Sequence, residues 1–373
     1  MSMVDHRKPP PYFYLSPEAV EIQAELTRKG TYDLLPSEMP WRDQYRWLRD
    51  HGFDLRPRYS PSWEPSWKGT NLDPEFCEDA IMTTDPEVID ATRRSDGQVV
   101  AIKSVKKRGQ EVEISLFLSS LQQRRDNHCV PVVDVLDDPL NPSRSLMIMQ
   151  YLRPYDDPEF LMIGDVIDFV TQMLEGLAFL HTQRVAHRDI APPNIMMDAR
   201  SLYPEGHHPV ARDCSRDMIE ELTPLTRIDH PVRYFYVDFG LSVRFRPGAS
   251  THVVGDVGRD AEVPELSSTV PYDAYKADIY ALGNLFDKNF EQQYHGLQFL
   301  RPLIDSMKQR RPESRPTASE LVVMFENTRR TLNPSGFRWR LGPKSQPAYE
   351  RLFNDTVAVA REGLSQLRRF VRP

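Results

Sequence analysis

The chain has 373 residues, 27% of them charged, and a formal net charge of −7. That balance argues against a nucleic-acid or anionic-membrane surface, which needs concentrated Lys and Arg. Its three cysteines, Cys77, Cys129 and Cys214, follow no disulfide or metal spacing, the first residues carry no apolar leader, and no segment approaches about eighteen uncharged apolar residues; a reducing intracellular compartment, cytoplasmic or nuclear, without a transmembrane segment is expected.

In chain order, Ser16-Pro17-Glu18 combines a cap residue, a first-turn proline and an early acid, predicting a short helix to about Lys29. A second helix is predicted through Trp41, Tyr45, Trp47 and Leu48, followed by the Pro-rich stretch Pro61 to Trp67. Four of the five tryptophans precede residue 79. This extension reads as a wrap that packs its aromatics onto a neighbouring lobe, with a partner-binding arm as the alternative. Val99-Val100-Ala101-Ile102-Lys103 is an apolar strand ending in a lysine, and Leu146-Met147-Ile148-Met149 is a buried strand leading into Gln150-Tyr151-Leu152. From Asp165 to His181, apolar residues at Val166, Phe169, Val170, Met173, Leu177 and Leu180 mark one face of a helix.

That helix runs into His187-Arg188-Asp189, with Asn194 five places after the aspartate; the strand Tyr234 to Val237 later delivers Asp238-Phe239-Gly240. One carboxylate can orient an attacking hydroxyl, while an amide oxygen and a second carboxylate gather a divalent cation, a set suited to phosphoryl transfer. Between them the insertion 199–232 holds His207 and His208, which lack the spacing of a metal site and read as part of a surface loop. Near the end, Phe353, Val357, Ala360, Leu364, Leu367 and Val371 form a helical stripe expected to dock on the larger lobe.

With these motifs in this order, the stretch from about Asp79 to Asn333 resembles a eukaryotic protein kinase domain. The resemblance implies an α+β, bilobal fold: a small antiparallel N-lobe (79–150) and a mainly helical C-lobe (153–333) carrying the insertion, flanked by an extension (1–78) and a tail (334–373). It also implies an ATP- and Mg²⁺-dependent protein kinase acting on an unknown protein hydroxyl, Ser/Thr more than Tyr. Lys103 would hold the α- and β-phosphates, with Glu113 as its partner and Glu111 as the rival; Asp189 would be the base, and Asn194 and Asp238 the metal ligands. Val88, Ala101, Met149 as gatekeeper, Gln150 and Leu152 would frame the nucleotide. Later, Pro264-Glu265 resembles the end of an activation segment, Asp278 to Gly283 the buried helix of the C-lobe, and Arg315 the partner of Glu265. This late set separates protein kinases from small-molecule phosphotransferases.

The chain also departs from that family. Val88 lies fifteen residues before Lys103, at the valine that follows the glycine-rich loop, which puts the three glycine positions on Ile81, Thr83 and Pro86. No glycine remains, Pro86 removes an amide donor, and Asp85 and Glu87 add negative charge near a triphosphate. Ala191 stands where a lysine faces the transferring phosphate, and Pro193 where tyrosine kinases place an arginine. The segment Gly258 to Val263 lacks the threonine of the peptide platform. Ser250 and Thr251 are candidate phosphosites for Arg188 to read. These departures motivate the alternative of a pseudokinase serving as a binding or scaffold module.

Overall fold

The computed structural model describes residues 9–83, 85–347 and Glu350; the stripe expected from Phe353 to Val371 lies outside the described residues. The chain divides into two units. The first runs to Gly109 and takes in Val132–Tyr151 and Arg200–Leu225, while the second comprises Gln110–Pro131, Leu152–Ala199 and the chain from Thr226 onward.

The first unit begins with α1 (Pro17–Arg28), where the Ser16 hydroxyl accepts from the Ala19 N–H as its composition predicts, and α2 (Met39–Asp50). Its sheet has the order β1-β2-β3-β5-β4, all antiparallel, from β1 (Phe53–Asp54), β2 (Val88–Arg93), β3 (Val99–Lys106), β4 (Val132–Asp137) and β5 (Arg144–Gln150). Side chains alternate across a sheet, and here both faces carry meaning. Val100, Ile102, Ile89, Ala91, Leu146 and Ile148 share one face, and they bury it against Trp41, Leu48, Phe53, Leu55 and Tyr59 of the extension. The extension therefore completes the core of the sheet and supplies its edge strand.

Two charged pairs lock it in place. Arg58, with no exposed surface, donates 3.0 Å bonds to both oxygens of the equally buried Glu38. Burial raises the Glu38 carboxyl, but bonding to Arg58 and its charge outweigh this and hold it below the usual range. Arg56 pairs with Asp90 at 3.1 Å and donates to the Ile81 carbonyl.

The insertion folds onto this unit instead of standing out as a surface loop. Tyr151 donates its hydroxyl to the Pro209 carbonyl at 2.7 Å, and Tyr203 packs edge-on against His207. His208 is buried, its Nδ1 accepting from the Val210 and Ala211 amides at 3.2 and 2.9 Å.

The second unit is mainly helical: α3 (Gln110–Ser119), α4 (Ile163–Thr182), α5 (Ala274–Phe286), α6 (Arg301–Met307) and α7 (Ala318–Thr331). Short strands attach to it: β6 (Arg153–Pro154), β8 (Ile195–Asp198) and β9 (Arg233–Tyr236) form one antiparallel sheet. Further antiparallel pairs join β7 (Val185–Ala186) to β10 (Val243–Arg244), and β11 (His252–Gly255) to β12 (Ser267–Asp273). The stripe predicted on α4 is fully buried at Val166, Phe169, Val170, Met173, Leu177 and Leu180. No helix among the described residues is long and apolar enough to cross a membrane.

Where α4 meets β9, Gly176 is required for close approach: a Cβ there would stand 2.7 Å from that of His128. His128 is buried, its Nδ1–H donating 2.8 Å to the Tyr234 carbonyl. Burial is the main cause that pushes its imidazole down to about 4; Arg233 adds to the shift while Asp126 opposes it, and Glu175 stands 3.9 Å from Nε2. The unfolded chain thus binds a proton between roughly pH 6.5 and 4 that the folded one refuses, so this stability is complete above the unfolded value and is lost as pH falls through that window. Urea unfolding is expected to lose about 3 kcal/mol more between pH 7 and 4 in the wild type than in His128→Gln.

Candidate active site

The catalytic loop is held from below by one buried carboxylate. Asp278, on α5, accepts from the main-chain N–H of His187 at 2.8 Å and of Arg188 at 2.7 Å, and from His181 Nε2 at 3.0 Å. His187 is wholly buried; its Nε2–H donates to the Val237 carbonyl at 3.0 Å while Nδ1 accepts from the Asp189 amide at 3.3 Å. Burial lowers its pKa, so the ring works as a neutral spacer joining Asp189 to the strand before Asp238. Arg188 and Asp238 both adopt left-handed backbone, φ 66° and 61°, a conformation costing non-glycine residues on the order of 1 kcal/mol each and retained where surrounding bonds over-determine it.

Those bonds bring Asp189, Asn194 and Asp238 together. Asn194, nearly fully buried, donates Nδ2–H to the Asp189 carbonyl at 2.8 Å and to Asp189 Oδ2 at 2.7 Å. This use of the amide nitrogen leaves Oδ1 as its acceptor atom. The Val237 N–H donates to the Asn194 carbonyl at 3.0 Å, which makes Asp238 the next residue along, and Asp238 Oδ1 accepts from the Gly240 N–H at 3.2 Å. Phe239 is buried 5.3 Å from the His187 ring. The donor chemistry fits Mg²⁺: two hard oxygen ligands, an amide and a carboxylate. Among the described residues no group of three or more His, Cys, Asp and Glu could hold a metal, so a cation here would depend on phosphate oxygens as well.

Asp189 is gripped from its other side by the activation segment. The Arg259 N–H donates to Oδ1 at 2.7 Å, and Arg259 Nε stands 3.6 Å from Oδ2. Nothing in the spacing of the sequence pointed to Arg259. Arg188, the candidate reader of a phosphate on Ser250 or Thr251, donates to the carbonyls of Leu241 at 3.3 Å and Val254 at 3.1 Å. Downstream, Arg315 holds Glu265 through both oxygens, one at 2.9 Å, and stacks on Tyr280.

The two glutamates of α3 differ in placement. Glu113 is exposed and forms no ion pair or hydrogen bond among the described residues. Glu111 is half-buried, and a Cβ on Gly240 would stand 3.6 Å from its Oε2, so it is Glu111 that lies against the Asp-Phe-Gly turn. Leu152 begins the second stretch of this unit, and its side chain is buried.

In the first unit, Val88, Ala101, Lys103 and Met149 share the sheet face opposite the extension's cluster, whereas Gln150 pairs with Val100 and so falls on the extension's face. Val88 sits across from Lys103 and Ala101 across from Met149, with Gln150 ending β5. The Lys103 face also carries Asp90, paired with Arg56. Before β2 there is no glycine hairpin: Trp41 Nε1 donates to the Pro86 carbonyl, and Glu87 turns to Arg144 at 2.8 Å, which offsets its charge.

Residues 85–294, more than half of the chain, match the family model of the protein kinase domain. The chain belongs to the protein kinase domain family. The match begins just before β2 and runs past the end of α5, and so includes Lys103, the catalytic loop and Asp238, whereas α1, α2 and β1 fall outside the kinase match.

Proposed function

We propose that this kinase domain is an active ATP- and Mg²⁺-dependent protein kinase that transfers the γ-phosphate to a protein hydroxyl, Ser/Thr more than Tyr. The observation that carries this reading is Asn194 bridging the main chain and carboxylate of Asp189 while bonded through Val237 to the Asp238 turn. A binding scaffold has no need of a buried amide that orients a carboxylate in this way. Asp189 accepts the proton of the attacking hydroxyl, Asn194 Oδ1 and the Asp238 carboxylate hold the metal, and Lys103 holds the nucleotide's phosphates. Mg²⁺ held by Asn194 and Asp238 would supply Lewis-acid neutralisation of phosphate charge. Between the glutamates, Glu111 is the one proposed to support the site.

A second reading, a nucleotide-impaired binding module, is favoured by two observations. The Arg56–Asp90 pair lies on the Lys103 face, and Pro86 stands where a phosphate-cradling glycine would be. Thermal-shift titration separates the two. ATP with Mg²⁺ is expected to raise Tm, and the metal-dependent part of that rise to vanish in Asp238→Ala. No metal-dependent shift in the wild type at millimolar ATP favours the binding module.

A further inference from the structure

We infer that Arg259 supplies the phosphate-facing cation that the catalytic loop lacks at Ala191, an assignment that rests on the kinase reading above. Residue 259 approaches Asp189 twice, through its main-chain N–H at 2.7 Å from Oδ1 and its Nε at 3.6 Å from Oδ2. Gly258 eases the approach: a Cβ there would stand 3.3 Å from the Arg188 carbonyl oxygen, tighter than ordinary contact, and 3.8 Å from Asp189 Oδ1. With glycine at 258, the segment lies close enough for the next side chain to reach the catalytic carboxylate.

The following residue fixes that position. Asp260 Oδ2 accepts from Nδ2 of the buried Asn284 at 2.7 Å. Asn284 and Asp278 both belong to α5, so one helix sets the loop bearing Asp189 and the segment bearing Arg259. Among the described residues the Arg259 guanidinium makes no hydrogen bond of its own, and its side chain is 54% exposed against 9% for Asp189. Its terminal N–H groups therefore remain available to phosphoryl oxygens, where a guanidinium is well matched.

In the transfer, the acceptor hydroxyl oxygen bonds to the γ-phosphorus and the bond from that phosphorus to the β,γ-bridging oxygen breaks. ADP departs with the bond's electron pair, and the hydroxyl proton passes to Asp189. Arg259 stabilises the charge on the equatorial oxygens, and losing one such donor costs roughly 10²- to 10³-fold in rate.

The test uses the full chain, γ-labelled ATP with Mg²⁺, and the variants Arg259→Ala and Arg259→Lys. Arg259→Ala is expected to lower kcat for label turnover by roughly 10²- to 10³-fold with KM for ATP nearly unchanged, and Arg259→Lys to retain most of the rate. A readout independent of turnover is the rise in Tm on binding ADP, Mg²⁺ and aluminium fluoride, a mimic of the transferring phosphoryl. The increment over ADP and Mg²⁺ alone is expected to be lost in Arg259→Ala while the ADP shift stays. An active, Asp189-dependent wild type whose rate is unchanged or raised by Arg259→Ala overturns this assignment alone; the raised rate would make Arg259 a plug on Asp189. A wild type without Asp189-dependent turnover overturns both this assignment and the kinase reading.

Discussion

Asp189→Asn is expected to lower phosphoryl transfer by roughly 10²- to 10⁴-fold, the contribution of a positioned general base. Asparagine keeps the size of the side chain but removes its basicity and charge. It also misplaces a donor. Asp189 Oδ1 receives the Arg259 N–H and Oδ2 the Asn194 amide, so whichever way the new amide turns, its NH₂ meets one of those donors. The displaced Asn194 would present Oδ1 differently to a cation, and metal-dependent nucleotide affinity is expected to weaken along with kcat. Single-turnover rates with labelled ATP, together with Mg²⁺ titrations, check both parts. A variant that keeps its rate removes Asp189 from the role of base.

Glu38→Ala is expected to cost about 3 to 5 kcal/mol of stability, because it leaves Arg58 as a buried, uncompensated charge. Glu38 also accepts from the Leu35 N–H at 2.9 Å and the Tyr59 hydroxyl at 3.1 Å, so three donors lose their partner together. Arg58 would retain only carbonyl contacts, to Tyr32, Asp33 and Asp79, and the ring of Trp63. The double variant Glu38→Leu, Arg58→Met is expected to recover part of the loss, since it removes the stranded charge as well. Urea unfolding of the three proteins measures this. A loss below about 1 kcal/mol in Glu38→Ala, the level of an exposed pair, would contradict the burial argument.

The extension matters because of what it covers. By filling one face of the sheet and supplying β1, it leaves Val88, Ala101, Lys103 and Met149 together on the other. The wrap was an expectation of the sequence, but the edge strand could not be read from it. A two-residue edge strand has no periodicity, and its partner begins thirty-four residues after Asp54. The catalytic loop, Asp278 and the Glu265–Arg315 pair were legible because their residue types and order carry the chemistry.

The glutamate of α3 was not resolved by the same reasoning. Residues two apart on a helix point about 200° apart, so Glu111 and Glu113 cannot serve the same site, and spacing alone does not say which one faces it. Arg259 was invisible for another reason. Its role comes from the space that Gly258 opens beside Asp189, and no motif spacing encodes that approach. The insertion read as a loop because Gly, Pro and paired His are surface residues by composition, while its anchor, Tyr151 to the Pro209 carbonyl, joins positions fifty-eight residues apart.

The central claim is that the site transfers phosphate despite lacking the glycines and the lysine at 191. Its most direct test is incubation of the purified full chain with γ-labelled ATP, with and without Mg²⁺, followed by acid-stable label counting on protein and release of labelled phosphate. The account predicts Mg²⁺-dependent transfer that falls to background in Asp189→Asn. Label transfer no greater in the wild type than in Asp189→Asn would contradict it.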